Sequence, residues 1–222
     1  MNTPTKTLAI AAVLAGGLAA IPVRADEGDF LVRLRAVRMD FAQKSDAIPS
    51  LGVPADAIRV DNQTIPDIDF EYFFTKSFST ELVLTYPQSQ TVTVQQSALG
   101  GPVDIGTFKY LPPTLTAKWN FIPDGTIRPY VGIGVNLTLI SNVDLNNVQA
   151  LNDITGKISL DSSSVGLTGQ AGVDFKVADH YFINADVKYM KLQSDVKTAN
   201  FGKVSTVNLD PWLFGIGIGY RF

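Results

Sequence analysis

The stretch PWLFGIGIGYRF, residues 211–222, decides the fold. Alternate side chains along it are large and apolar: Trp212, Phe214, Ile216, Ile218, Tyr220 and Phe222. Between them stand Leu213, the glycines Gly215, Gly217 and Gly219, and Arg221, so one face of the strand is apolar and the other nearly bare. Such a strand needs two very different neighbours. The wall of a transmembrane barrel has both: lipid outside, and a cramped interior where glycine leaves room for side chains from the opposite wall.

Working outward from that strand, the chain of 222 residues is 45% hydrophobic and 18% charged, which suits one all-β domain without a second core. The apolar run from Thr7 to Ile21, preceded by Lys6 and followed by Pro22 and Val23-Arg24-Ala25, reads as a secretory signal peptide cut after Ala25. The barrel domain is then expected over residues 26–222. A membrane-spanning helix needs roughly 20 apolar residues, and this run is shorter. Cleavage removes Lys6 and Arg24 and leaves 21 acids against 16 bases, a balance that argues against a nucleic-acid partner. The chain has no cysteine, so an exported form has no disulfide framework and must draw its stability from the hydrogen-bonded wall.

Seven further segments share the alternation. Phe30, Val32, Leu34 and Ala36 lie opposite Arg33 and Arg35, and Ile68, Phe70, Tyr72 and Phe74 lie opposite Asp67, Asp69 and Glu71. Phe78, Leu82, Leu84 and Tyr86 oppose Ser79, Glu81 and Val83, while Leu115, Ala117, Trp119 and Phe121 oppose Thr116, Lys118 and Asn120. The remaining strands centre on residues 130–139, 165–175 and 181–190. Short turns at residues 75–77, 123–125 and 177–180 alternate with long connections at 42–63, 87–106, 141–157 and 192–205, all expected as loops. In the third of these, Leu145, Val148 and Leu151 are spaced like one face of a short helix. The pattern predicts an all-β fold, an eight-stranded antiparallel up-and-down transmembrane barrel with both termini on the periplasmic, short-turn side.

Alternation alone leaves open whether the apolar face meets lipid or a lipocalin-like pocket. Volume decides in favour of lipid. An interior of eight strands is just wide enough for side chains to fill it, and the tryptophans with most of the phenylalanines and tyrosines would overfill it. The inward face then carries Arg33, Arg35, Asp67, Asp69, Glu71, Glu81, Lys118, Asp186 and Lys188, either as a salt-bridged plug or as a selectivity lining. Val37, Met39, Phe73, Val83, Met190 and Leu213 share that parity and are candidates for an apolar path. Arg33 and Arg35 precede Val37 and Met39, and Asp186 and Lys188 precede Met190 on a strand of the same direction. Charge is therefore expected toward the periplasm and apolar lining toward the exterior.

The segments LPPTLTAKW (Leu111 to Trp119), RPYVGIGVNLT (Arg128 to Thr138), GQAGVDF (Gly169 to Phe175) and LDPWLFGIGIGYRF (Leu209 to Phe222) resemble, in order and spacing, the OmpW family of outer-membrane proteins. The resemblance covers nearly the whole chain after the leader, the long connections excepted. It implies localisation in the bacterial outer membrane and a monomeric barrel with a narrow lumen, apolar toward the outside and blocked toward the periplasm. It also implies passage of small hydrophobic molecules that leave sideways into the membrane through a gap in the wall. Pro66, Pro87, Pro112, Pro113 and Pro129 sit near strand ends, where each removes a ladder donor, and they are candidates for that gap as well as for plain strand termination. The terminal Phe222 is similar to the C-terminal aromatic signal of such barrels, so the barrel-assembly machinery is an expected partner beside outer-membrane lipids and small hydrophobic solutes.

Chemistry is sparse. The single histidine, His180, lies in a short turn beside Asp179, with no nucleophile in the same segment. There is no G-x-S-x-G, Ser162-Ser163-Ser164 reads as a solvated strand entry, and a chain with one histidine and no cysteine offers little to a metal. No cofactor is expected. Two functions remain, a channel for small hydrophobic molecules or a closed barrel whose loops contact phage, bacteriocin or host; an enzyme ranks third.

Overall fold

A computed structural model describes residues 28–98 and 100–222, so the expected signal peptide lies outside the described residues. The strands, in chain order, are β1 (Phe30–Asp40), β2 (Lys44–Ser45), β3 (Ile58–Val60), β4 (Gln63–Phe73), β5 (Phe78–Leu84), β6 (Gln88–Val94), β7 (Val103–Leu111) and β8 (Thr114–Asn120). There follow β9 (Ile127–Asp144), the helix α1 (Gln149–Thr155), β10 (Ile158–Leu160), β11 (Ser163–Lys176), β12 (Tyr181–Met190), β13 (Gln193–Thr198), β14 (Gly202–Asn208) and β15 (Trp212–Arg221).

Eight of these strands make the barrel. The antiparallel order β11-β12-β15-β1-β4-β5-β8-β9 closes through the pairing of β9 with β11, from Leu139 opposite Ser163 to Ile127 opposite Phe175. Closure satisfies the backbone of a wall that meets no water, which is why a strand protein can cross a bilayer at all. Burial is inverted relative to a water-soluble protein. Ile133 is 75% exposed and Ile218 66% exposed, whereas Arg33, Asp69, Glu71 and Glu81 are fully buried. The apolar parity therefore faces lipid, as the volume argument requires, and Val131, Leu137, Trp212, Phe214 and Ile216 all lie on that outer face. Rings gather near the short-turn end, where Tyr220 packs edge-on against Tyr181 and Phe222 at 5.1 and 4.8 Å, and near the other end, where Tyr189 meets Trp212 at 5.1 Å.

Two of the long connections correct the sequence reading, because they are largely sheet. Residues 87–106 hold β6 and part of β7, a hairpin that carries the wall outward beyond β5 and β8. Residues 192–205 hold most of the β13–β14 hairpin, which forms a small second sheet in the order β10-β13-β14-β2. Neither reads as a membrane strand because the outward face is polar as well, as at Ser89, Thr91 and Thr93 on β6, which erases the apolar alternation. The expected helix exists but begins later, at Gln149; Leu145 lies before it and is buried in the extracellular core. Within that second sheet Asp195 accepts from Lys203 and Thr206, which holds its carboxyl below the usual range.

The glycine face of β15 has a definite tenant. A Cβ on Gly217 would come within 2.5 Å of Arg35 Cγ, and one on Gly219 within 3.0 Å of Arg33 Cγ. Two adjacent substitutions on this strand should fail for opposite reasons. Ile216→Arg puts a charge in lipid and should cost about 2–4 kcal/mol. Gly217→Leu should displace the Arg35 stem and cost about 1–3 kcal/mol through overpacking. Urea unfolding in lipid vesicles, followed by tryptophan emission, measures both; wild-type midpoints would contradict the assigned faces.

Candidate functional site

The lumen is layered. At the periplasmic end Leu31, Phe73 and Phe182 form a small apolar seal, with the Arg221 guanidinium 4.4 Å from the Phe73 ring and that of Arg128 4.9 Å from Phe182. Phe73, expected on the apolar path, belongs to this seal because it stands at the periplasmic end of β4.

Above the seal lies the plug. Arg33 donates from Nη1 to Asp69 Oδ1 at 2.8 Å, from Nη2 to Asp174 Oδ2 at 2.7 Å, and from the same Nη2 to Glu71. Arg35 forks onto Asp67 with two bonds of 2.9 Å and lies 3.1 Å from Asp69 and 3.4 Å from Asp186. Lys118 Nζ reaches Glu71 at 2.7 Å and Glu81 at 3.0 Å beneath the Tyr130 ring, and Lys188 reaches Glu81 at 3.2 Å. All nine charged residues expected at the lumen thus meet in one network. Asp174, Asn184, Gln170 and Ser79 join it. Asp174 shares the inward parity of β11, a signal in the sequence that marks it as lumenal without saying which cation it meets. Each guanidinium and ammonium is matched by carboxylates at bonding distance, which is the condition for burying charge at all.

Above the plug the lining turns apolar. Val37, Met39, Val83, Met190 and Leu213 surround a small cavity of about 20 Å³ whose floor is Arg35, Asp67, Asp186 and Lys188. Farther out, three apolar cavities of about 10, 40 and 110 Å³ follow one another. The first two share Phe108, Ile140 and Leu209, and the last two share Ile58, Ile105 and Val196.

At the level of the small cavity the wall loses its ladder. The last β4–β5 pair is Ile68 with Leu84, and β6 takes β3 as its neighbour, so residues 63–67 pair with β1 on one side only. Side chains bridge the other side. Thr85 Oγ1 donates to the Pro66 carbonyl at 2.9 Å, Gln63 Nε2 to Tyr110 Oη at 2.6 Å, and Gln90 Nε2 to the Asp61 carbonyl at 3.0 Å. Because the amide and carbonyl of one strand residue point the same way, the N–H that Pro66 lacks is one that would have faced this gap. Pro87 separates β5 from β6, and Pro112-Pro113 separate β7 from β8, at the same level. Pro129 does not join them, since it lies within the β9–β11 ladder near the periplasmic turns, opposite Val173. Sequence reasoning missed Gln63 and Tyr110, and no signal could have found them, because only the β6–β7 hairpin brings them together.

A closed barrel with lipid-facing rings, short turns at one end and extended strands at the other defines an outer-membrane β-barrel protein. The OmpW family profile matches residues 26–222. Outer membrane protein W of Vibrio cholerae is 33% identical over 221 residues, covering 98% of this chain and 99% of its own. The crystal structure of OprG from Pseudomonas aeruginosa superposes with a TM-score of 0.75 at 29% identity, over 89% of this chain and 97% of that one. The solution structure of E. coli outer membrane protein W gives a TM-score of 0.61 at 28% identity, over 90% and 100%. The chain belongs to the OmpW family and resides in the outer membrane.

Removing one partner of a buried ion network leaves its counter-charges unpaired. Arg33→Met should therefore lower barrel stability by about 3–5 kcal/mol. The urea midpoint of the folded, heat-modifiable band on gels reports this, and a midpoint at the wild-type value would show that Asp69, Glu71 and Asp174 do not depend on Arg33.

Proposed function

We propose that this protein admits small apolar molecules across the outer membrane and releases them sideways through the wall. The observation that carries this reading is the position of the unpaired β4 segment, residues 63–67, at the depth where the apolar lining ends and the ion-paired plug begins. A solute entering from outside meets apolar cavities in the loops and the upper lumen. Straight passage would take it through Arg33, Arg35 and their carboxylates, whose desolvated charges an apolar molecule cannot compensate. The lipid beside β4 offers a lower-energy exit, closed only by a few side-chain hydrogen bonds, each worth about 1 kcal/mol net. A hydrophilic solute gains nothing from this route. Family membership supports the reading, since the resemblance to OmpW proteins implies the same class of solute.

The chain has no cysteine, so a staple can be introduced cleanly. Ile65 and Thr85 line the same cavity from opposite sides of the gap. In intact cells lacking related channels, the protein should speed uptake of radiolabelled octane while glucose uptake hardly changes. Bridging an Ile65→Cys/Thr85→Cys pair with a short bis-maleimide should abolish most of the gain. Equal octane uptake with and without the protein, at matched barrel levels, would favour a closed surface-recognition barrel; uptake indifferent to the staple would refute the sideways exit.

A further inference from the structure

The outer apolar cavities and the small cavity above the plug share no lining residue; between them stand Tyr110 and Met39. Tyr110, on β7, is almost fully buried. Its hydroxyl oxygen accepts from the Gln63 amide, and its own proton points at the Met39 sulfur, with Oη 3.4 Å from Sδ. A thioether is a weak acceptor, so in a compartment lined mainly by Phe41, Phe108, Ile140, Leu192 and Leu209, with Gln90 and Thr138 at its side, one hydroxyl proton is poorly used. The same hydroxyl holds Gln63, the first residue of the unpaired β4 segment.

We propose that Tyr110 is a specificity-determining residue of this channel, selecting apolar molecules that carry one hydrogen-bond acceptor, such as medium-chain ketones, esters and alcohols, over plain hydrocarbons. The inference rests on the transport reading above and specifies its solute. A carbonyl or ether oxygen arriving with its apolar body in the upper lumen replaces the Met39 sulfur as acceptor of the Tyr110 proton. A burial that leaves the solute oxygen unpaired is costly, and Tyr110 offers it a donor whose present partner is only a thioether. The Gln63 amide, next to the exit, donates to the oxygen lone pair and so keeps its bond while the proton engages the solute. A hydrocarbon passes the same point by contact alone and gains nothing from the hydroxyl.

The test compares uptake of radiolabelled 2-octanone and octane in the same cells, each corrected for cells without the protein, for wild type, Tyr110→Phe and Met39→Leu at matched heat-modifiable barrel levels. Wild type should favour the ketone. Tyr110→Phe should reduce that preference about three- to tenfold, the worth of one hydrogen bond. Because it also removes the Gln63 bond beside the exit, the ratio of the two solutes is the quantity read, in which a change of the exit common to both cancels. Met39→Leu removes the competing acceptor and should raise the preference, which keeps the idea testable if the tyrosine variant assembles poorly: a ratio at or below the wild-type value would then overturn it. If neither solute enters faster than without the protein, the transport reading itself fails and takes this inference with it. If both enter faster but the ratio is the same in all three proteins, transport stands and the role of Tyr110 is overturned.

Discussion

The structure depends on two arginines lying against a strand that has no side chains to oppose them. Arg33 and Arg35 project from β1 across the bare face of β15, where Gly217 and Gly219 leave the volume their stems occupy. From there their guanidinium groups reach carboxylates on β4, β11 and β12. A pair of charges in so narrow an interior survives only if every donor finds an acceptor, so the network also dictates how the strands are staggered around the lumen. Glycine on one strand and arginine on its neighbour are a single feature.

That plug divides the lumen by polarity, and the division gives the unpaired wall segment its meaning. In the periplasmic half every barrel strand has ladder partners on both sides, and the interior is ionic with an apolar seal beneath. In the outer half the β5–β6 and β7–β8 arms both break at prolines, β4 loses its neighbour over residues 63–67, and the interior is apolar. A wall stitched by side chains opens at far lower cost than one held by a continuous ladder, since a few bonds of about 1 kcal/mol replace cooperative backbone pairing. Weakness in the wall and an apolar interior occur together, at the depth where a path straight down is closed by charge.

The extracellular part is also more ordered than a loop region. The β6–β7 hairpin continues the wall above the membrane and the β10-β13-β14-β2 sheet stands beside it, so that strands, together with α1 and the segment around Leu51, bound the apolar cavities. Position along the inward face separates residues of identical parity. Met39 and Phe73 both point inward, yet one ends above the plug and the other below it, because β1 and β4 run in opposite directions and the two residues sit at opposite ends of the barrel.

The sequence by itself determined the barrel, its eight strands, the face each side chain takes and the gradient from charge to apolar lining, because lipid imposes a period of two that a reader can count. It also named every charged residue of the plug except Asp174. What it could not determine lies where that period fades. Beyond the membrane both faces of a strand tolerate polar residues, so β6, β7, β13 and β14 looked like loops. Which charge meets which, why Pro66 and Pro112 face one gap while Pro129 does not, and how Gln63 comes to bond with Tyr110 across 47 positions were decided only by tertiary structure. Those contacts join strands distant in the chain, and their pairing depends on stagger around a closed wall, which no local pattern of residues encodes.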